Sequence, residues 1–399
     1  MLLALKREFT LSFTKISGER LLLTKKYISF LSLILFSCVP FVKKGKIYEP
    51  NIRVLISFEE DTFSLKGYFT LTQKDKKIEI RDKLIKIKDN KIFLRDSLLF
   101  DFALEPVILT PYPNTNLSFR DKTYRGYFKI VYDAIWKYKK PCLINILPLE
   151  EYLYSVVACE IGPIDEKNYE SAKAQAVAAR SYALFRMLQN QLKFYDIFAS
   201  PNLDQAYEGK KRETSLTTKA VKETKGEVLI DSKRVFKTMY HANCGGILYN
   251  GKRDSEKYSL SKAPFCKNSK NYKWEKDWEI KNFTETLKKI INYQKKKPLR
   301  IKKIKLEKER KSQRVKKVRF YTNGGIFYIS GNKFRNLFGL KSTLFEIKAT
   351  HNKIKIVGYG YGHGKGMCQD GAMAMAKKGY NYKEILSHYY PKKKIKKLY

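Results

Sequence analysis

The chain has 399 residues, 43% of them hydrophobic and 14% aromatic, and this composition excludes a largely disordered protein. Its 81 Lys and Arg residues against 39 Asp and Glu give a net charge of +42, which favours polyanions such as nucleic acid, anionic lipid or a carboxylate-bearing cell-wall polymer. Because the lysines are scattered over almost every segment, we interpret the charge mainly as a solvated surface and expect no nucleic-acid partner.

Residues 1–46 are predicted to be a leader and linker. A pair of lysines ending at Lys26 precedes an apolar run over 28–42, which is short for a membrane-crossing helix and typical of a signal-peptide core. The segment LFSC at 35–38 is similar to a bacterial lipoprotein cleavage box, which makes Cys38 a candidate lipid anchor. We therefore expect an exported protein of the cell envelope, in the periplasm or outside the cytoplasmic membrane, held there by the lipid or by an uncleaved signal. The alternative is a buried N-terminal helix.

Residues 47–118 are predicted to form a small N-terminal β module. Apolar and polar residues alternate in short runs such as IRVLISF and GYFTLTQ, and a period of two with β-branched residues is typical of strands. We expect about five strands joined by charged turns, ending near the turn-rich Pro111–Asn114.

Residues 119–399 are predicted to form a mixed α+β catalytic domain that contains a helix pair. The first helix lies in LPLEEYLYSVVACEIGP, where Pro148 suits the first turn and Gly162 with the next proline ends it. The second helix spans about Tyr169–Gln191 and carries an alanine ridge at helical spacing. Later segments such as RVFKTMYHA and KIKIVGY return to strands, so the predicted fold class is α+β rather than alternating βαβ.

Glu160 is the most informative single residue. It shares a helix face with apolar residues three, four, seven and eleven positions earlier, so its carboxylate is expected to face inward. It also lies at the C-terminal end of the helix, where the dipole disfavours ionisation. Both effects raise the pKa of Glu160, and a protonated acid near neutral pH suits general-acid cleavage of a glycosidic bond. The alternative is a helix-end glutamate that turns to solvent or pairs with an arginine such as Arg180.

The segment MYHANCGGILYN, residues 239–250, brings His241 and Cys244 together, and Cys266 follows 22 residues after Cys244. These three residues are candidate zinc ligands, although a complete set of four is not visible. In an oxidising compartment Cys244 and Cys266 form a disulfide instead, and both alternatives stay open.

Residues 358–366 read GYGYGHGKG and lack the pattern of a phosphate-binding loop or a dinucleotide fingerprint. If the run is extended, glycine lines one face, where a chain or ligand can approach, and the other face carries Tyr359, Tyr361, His363 and Lys365. The alternative is a tight packing loop in which glycine supplies only dihedral freedom. The following stretch, Met367–Lys378, is predicted to be a packing helix closed by Gly379.

Together these motifs resemble the stage II sporulation protein D family, also called SpoIID/LytB, of peptidoglycan lytic transglycosylases and amidase enhancers. The resemblance covers roughly residues 119–391, through LPLEEYLYSVVACEIGP, AKAQAVAARSYAL, LDQAYEG, HANCGG, FRNLFGLKSTLFEI and GYGHGKGMCQDGAMAMAKKGYNYKEILSHYYP. It implies that Glu160 is the catalytic acid/base, and family members can bind zinc near the His-x-x-Cys segment. The residues that it implies as lining or supporting a substrate groove are Gln175, Arg180, Tyr182, Gln205, Tyr207, His241, His363, Gly364 and Gln369.

The reaction that the resemblance implies is cleavage of MurNAc–GlcNAc bonds in glycan strands stripped of stem peptides. Glu160 protonates the leaving oxygen and then deprotonates the C6 hydroxyl of the substrate, and one carboxylate is enough because that nucleophile is internal. Tyr359 and Tyr361 are expected to stack on sugar rings. No cofactor is required, with zinc at a structural or site position left open.

The alternative function is a non-catalytic wall-binding protein that stimulates an N-acetylmuramoyl-L-alanine amidase, so a cell-wall amidase is a candidate partner beside the glycan itself. Several positions depart from the usual family pattern: Cys159 replaces a common glycine, Ile161-Gly162 a common Met-Pro, Cys368 a serine and Asp370 an aromatic residue. None of them removes Glu160, but Asp370 bears on substrate preference.

Overall fold

A computed structural model describes residues 48–58, 60–133, 139–248, 265–291, 293 and 298–399, all within the unit Lys44–Tyr399. The predicted leader and the candidate anchor Cys38 lie outside the described residues. Within the described ranges, no helix combines the length and the apolar character needed to cross a membrane.

The strands, numbered in chain order, are β1 (Asn51–Ser57), β2 (Thr62–Gln73), β3 (Lys76–Lys88), β4 (Lys91–Leu94), β5 (Ser97–Asp101), β6 (Val107–Pro111), β7 (Leu117–Phe119), β8 (Lys122–Tyr124), β9 (Tyr127–Tyr132), β10 (Pro141–Pro148), β11 (Ile197–Phe198), β12 (Glu227–Asp231), β13 (Arg234–Val235), β14 (Tyr240–His241), β15 (Lys273–Glu279), β16 (Ile301–Lys308), β17 (Val315–Thr322), β18 (Gly325–Ser330), β19 (Phe345–Ala349), β20 (Lys353–Tyr359), β21 (Met367–Cys368) and β22 (Lys394–Lys397).

The α-helices are α1 (Leu149–Ile161), α2 (Tyr169–Gln189), α3 (Ser215–Glu223), α4 (Ile280–Ile291), α5 (Gly331–Leu337), α6 (Gln369–Lys377) and α7 (Tyr382–Tyr389). Short 3-10 helices cover Glu166–Asn168, Gly209–Arg212 and Phe265–Asn268. This mixture of strands and helices confirms the predicted α+β class.

The largest sheet has the strand order β11-β1-β10-β9-β6-β2-β3-β4-β5, with β7 and β8 attached through β2, so strands from both sides of residue 118 share it. Its strand β10 is buried almost throughout because both faces are covered. Leu143 and Leu147 join the core beneath α1 and α2, and Ile144 joins a smaller cluster with Leu55 on the opposite face.

The two predicted helices are present with nearly the predicted bounds. The first begins directly after Pro148 and ends before Gly162, whose φ of +82° departs from helical geometry. On α2, one fully buried alanine row packs against the core of the large sheet: Ala172, Ala176, Ala179 and Ala183. The opposite side of α2, including Val177, packs against a second core formed with α6 and α7. Helix α2 therefore lies between two cores.

Strands β14 and β21 pair in parallel, with His241 opposite Cys368. Between them the chain forms what we call the inserted unit, residues 273–359. In its described part, the sheets β15-β20-β19 and β16-β17-β18 and the helices α4 and α5 enclose a separate aromatic core around Phe283, Phe320 and Phe334. The insertion thus leaves the main body and returns next to its starting point.

Candidate functional site

Glu160 lies in the last turn of α1, half-buried, with partners that are neutral. Its Oε1 accepts a hydrogen bond from the backbone N–H of Ala206 at 2.7 Å, and the side chain of Gln369 also hydrogen-bonds the carboxylate. Burial raises the pKa of Glu160, and these two hydrogen bonds oppose that rise. The predicted direction is confirmed, and the carboxylate does not pair with Arg180.

Two buried glutamines, Gln369 and Gln175, connect Glu160 with helices α6 and α2. Gln369 is the first residue of α6, and its Nε2 donates to Oε1 of Gln175 on α2 at 3.4 Å. The Nε2 of Gln175 has no hydrogen-bond partner in the part of the chain that the structure describes. Three helices therefore bring one carboxylate and two amides together.

Gln205 belongs to the layer that supports this carboxylate. It is fully buried, accepts a hydrogen bond from the Tyr152 hydroxyl at 3.1 Å and donates to the Tyr240 hydroxyl at 2.6 Å. Because Gln205 precedes Ala206, this network holds the backbone N–H that binds Glu160. Burial and the nearby Glu160 carboxylate raise the pKa of Tyr240 well above its ordinary value. Sequence reasoning missed Tyr240, whose only signal is its place beside His241.

The resemblance implies three further residues as lining or supporting the groove. In the structure their polar groups form hydrogen bonds with other side chains of the fold. Arg180 is fully buried and binds both carboxylate oxygens of Glu150 through its Nε and Nη2, at 2.8 and 2.7 Å. The Tyr182 hydroxyl donates to Asp204 at 2.7 Å. The hydroxyl of the third residue, Tyr207, donates to Asn145 at 2.6 Å. Their positions support the elements around Glu160.

His241 and His363 lie side by side, with ring centroids 5.5 Å apart. The Nδ1 of His241 is 3.0 Å from the Lys365 carbonyl, and Nδ1 of His363 accepts the Lys365 N–H at 3.0 Å. Burial lowers the pKa of His241 well below its ordinary value and that of His363 to about 4, with nearby cations adding to both shifts. Both imidazoles are therefore neutral at pH 7. His363 also hydrogen-bonds the backbone of Tyr240, which links this pair to the Glu160 region.

The glycine-rich stretch is extended only as far as Tyr359, where β20 ends. At Gly360, Gly362, Gly364 and Gly366 the φ angles are +75°, +107°, +81° and +68°. These values lie outside the strand region, so the single alternating face does not continue. Tyr359 is half-buried with its ring edge-on to Tyr272, whereas Tyr361 is 44% exposed.

The chain itself fills the space beside these glycines, so they provide room for close approach by the chain as well as dihedral freedom. At Gly364 the Arg314 guanidinium occupies the place of a Cβ, and at Gly366 the Met239 carbonyl does so. Arg314 comes from the inserted unit, is buried, and donates from Nη2 to the Cys244 carbonyl at 2.9 Å. Sequence reasoning missed it because it lies in a run of cations that resembles a solvated surface.

Three buried cysteines meet beside the histidine pair. The Sγ atoms of Cys244 and Cys266 are 3.4 Å apart, and all three thiols, including that of Cys368, lie within 4.8 Å of one another. His241 is not a member of this group. A tetrahedral zinc with Zn–S bonds of about 2.3 Å places its sulfurs about 3.8 Å apart, so the three thiols fit three zinc ligands. The disulfide alternative also remains a prediction.

Asp370 forms hydrogen bonds that connect it with two other segments of the chain. Its Oδ2 accepts hydrogen bonds from Ser269 at 2.6 Å and Asn243 at 2.9 Å. It lies in the first turn of α6, where a negative charge complements the helix dipole. The carboxylate therefore ties the segment after Cys266 to the helix that carries Gln369.

The arrangement around Glu160 agrees with the comparisons to known proteins. A family profile described as "Stage II sporulation protein" matches residues 137–230, which contain α1, α2 and Glu160. Over these residues the chain is similar to the stage II sporulation protein D family. A second profile, described as a domain of unknown function (DUF8618), matches residues 254–366 and thus covers the inserted unit.

The curated relatives match a longer part of the chain than either profile does. Stage II sporulation protein D of Bacillus subtilis (strain 168) is 29% identical over 269 residues, covering 62% of this chain and 74% of that protein. Its counterpart in Bacillus amyloliquefaciens is 28% identical over the same shares. An uncharacterized protein of Brachyspira hyodysenteriae is 30% identical over 265 residues, 62% of this chain and 66% of that protein. The similarity to this family supports a cell-wall-related role.

Proposed function

We propose that the protein is a peptidoglycan lytic transglycosylase that cleaves MurNAc–GlcNAc bonds in denuded glycan strands, with Glu160 as the acid/base. The observation that carries this proposal is the setting of Glu160, which is half-buried, bound by neutral partners and raised in pKa by burial. Such a carboxyl group holds a proton closer to neutral pH than an exposed glutamate does.

The proposed reaction uses the Glu160 carboxyl group twice, first as an acid and then as a base. Glu160 donates it to the glycosidic oxygen as the C1–O bond breaks, and the sugar develops oxocarbenium character. The C6 hydroxyl of the same sugar then attacks C1 and returns its proton to Glu160, which leaves an anhydro-sugar end and a regenerated acid. The Ala206 N–H and the Gln369 amide stabilise the carboxylate during the interval between the two transfers.

Groups outside α1 are proposed to hold the glycan. The exposed ring of Tyr361 offers an apolar surface to a sugar ring, and the Lys341 ammonium lies 5.7 Å from its centroid. The neutral His363 imidazole suits hydrogen bonding to sugar hydroxyls. Tyr359 is half-buried, so its proposed stacking contact is smaller.

The test compares Glu160→Gln with Glu151→Gln, which makes the same change at a half-buried position on the same helix. We expect Glu160→Gln to lower the rate of anhydro-product release from denuded strands by about a thousandfold, because general acid–base catalysis contributes about 10²–10⁴. Glu151→Gln should stay near the parental rate. Mass spectrometry of the products is the measurement, and parental release by Glu160→Gln contradicts the proposal. If that variant keeps the parental rate and also stimulates a purified amidase, the enhancer function replaces the catalytic one.

We further propose that Cys244, Cys266 and Cys368 hold a structural zinc, to which they would contribute thiolate ligands. The test is the zinc content of the purified protein. Cys368→Ser should lower it, whereas the control Cys142→Ser, buried on the far face of the large sheet, should not. Zinc-free protein with a bond between Cys244 and Cys266 contradicts this site.

We also propose that the protein is exported to the cell envelope and anchored through Cys38, where it meets peptidoglycan and a cell-wall amidase. Membrane fractionation of wild type and Cys38→Ala tests the anchor. An unchanged distribution contradicts it.

A further inference from the structure

The inserted unit carries an open sheet face on β16, β17 and β18. In the register of these strands, Lys305 lies beside Arg319 and Arg319 beside Tyr328, while Lys303 lies beside Tyr321. Side chains alternate along a strand, so these residues lie on the side opposite the buried Val318 and Phe320. We call this surface the basic aromatic face, defined by Lys303, Lys305, Lys317, Arg319, Tyr321 and Tyr328.

Its centre is a tyrosine ring held between two cations. Tyr328 is 51% exposed, and its ring centroid lies 5.2 Å from Lys317 Nζ and 5.0 Å from Arg319 Cζ. Arg319 is held in place by Glu307 at 2.6 Å and by the Tyr321 hydroxyl at 3.3 Å. Cation–π contacts and the ion pair therefore present an aromatic surface with positive charge beside it on a hydrogen-bonded sheet.

The charge of the face selects the kind of partner. Four cations, Lys303, Lys305, Lys317 and Arg319, accompany one carboxylate, Glu307. This balance favours an anion. The apolar part is small, because the exposed ring of Tyr328 has only Ile326, itself 52% exposed, on the same strand. An apolar area of this size can contact one sugar ring. Single-stranded nucleic acid instead binds along a row of aromatic side chains on which successive bases stack, and the described residues of this face form no such row.

We propose that the basic aromatic face binds an anionic glycan strand, with the Tyr328 ring against a sugar ring and the cations against the carboxylates of the strand. This assigns a binding role to a segment that matches a domain profile of unknown function. It goes beyond the proposed cleavage at Glu160, since binding at this face requires no catalysis.

The test uses the full chain with the double substitution Lys317→Ser and Tyr328→Ala. Its matched control is Lys77→Ser with Tyr68→Ala on β3 and β2, which removes one exposed lysine and a tyrosine that is 48% exposed. Both variants carry the same net charge. Co-sedimentation with insoluble peptidoglycan should show an apparent Kd raised about tenfold for the face variant and less than about twofold for the control. The salt dependence should also weaken for the face variant only.

The measurement is made in the Glu160→Gln background, so that cleavage does not contribute. Weaker binding by the face variant then supports the inference even if Glu160 is not the catalytic acid, and full binding overturns it while leaving the proposed function untouched. Equal losses in both variants overturn it in favour of non-specific charge. A loss confined to a single-stranded oligonucleotide or to phosphatidylglycerol vesicles overturns it in favour of another polyanion. If the double variant fails to fold, Lys305→Ser on β16 makes the same test and should also weaken glycan binding.

Discussion

The two ends of α1 carry glutamates in contrasting environments. Glu150, in the first turn, is 4% exposed and binds Arg180 through both oxygens, with further hydrogen bonds from the Tyr399 hydroxyl at 2.7 Å and the Gly226 N–H at 3.3 Å. Glu160, in the last turn, accepts hydrogen bonds from a backbone amide and a glutamine. A cation at one end makes the carboxylate part of the framework, whereas the carboxylate at the other end has neutral partners and a pKa raised by burial.

The largest expected effect comes from removing the cation at the Glu150 end. Arg180→Met leaves the Glu150 carboxylate buried without its counter-charge, which should lower the free energy of unfolding by about 3–5 kcal/mol. Urea titration at pH 7 measures this loss. The double variant Glu150→Leu with Arg180→Met removes both charges and should recover most of it. Equal losses in the single and double variants contradict the ion-pair explanation.

A smaller effect should follow from Tyr399→Phe at the same end. The substitution removes one hydrogen bond to the Glu150 carboxylate, and hydrogen bonds to charged groups contribute about 1.5–3 kcal/mol. The same urea titration measures the loss. In the double variant Glu150→Leu with Arg180→Met, the further change Tyr399→Phe should have much less effect. An undiminished effect there shows that packing, not the hydrogen bond, is responsible.

At the Glu160 end the expected effect is a change in pH dependence. Because burial raises the pKa of Glu160 above its ordinary value of 4.5, the folded protein binds more protons than the unfolded chain between those two pKa values. The resulting stabilisation is complete below the unfolded pKa and is lost as the pH rises through the folded pKa. Glu160→Gln should remove this slope. Parallel stability curves for wild type and variant, measured by urea titration from pH 4 upwards, contradict the raised pKa.

The smallest effect should come from Gln369→Met. The Gln369 hydrogen bond lowers the pKa of Glu160, so its removal should raise that pKa further. Since the proposed reaction needs protonated Glu160, the alkaline limb of the profile of kcat/KM against pH should move to higher pH. A shift to lower pH contradicts the proposed role of Glu160 as the acid.

Local signals were sufficient for the helix pair. A proline in the first turn, a glycine at the end and apolar residues at helical spacing predicted α1 as observed, and the prediction for α2 exceeded the observed Tyr169–Gln189 by two residues at its end. The inward position of Glu160 and the direction of its pKa shift followed from the same helical geometry. Such features depend on residues within a few turns of one another.

Partner choice was not predictable in this way. Arg180 was one expected partner of Glu160 in the alternative interpretation, yet Arg180 reaches the opposite end of α1. The third thiol of the cysteine cluster is Cys368 rather than a ligand near Cys244, because β14 and β21 pair across an insertion. The space expected for a ligand beside the glycines is filled by Arg314 from that insertion and by Met239.

The sequence by itself determined the α+β class, the helix pair and the position of one carboxylate at a helix end, because hydrogen bonding along the backbone and side-chain periodicity are local properties. Only the tertiary structure decided which carboxylate has a cation, which thiols meet and which face of the inserted unit is open. Those outcomes depend on contacts between segments far apart in the chain. Cys244 and Cys368, for example, are 124 positions apart, and core packing and strand pairing bring them together.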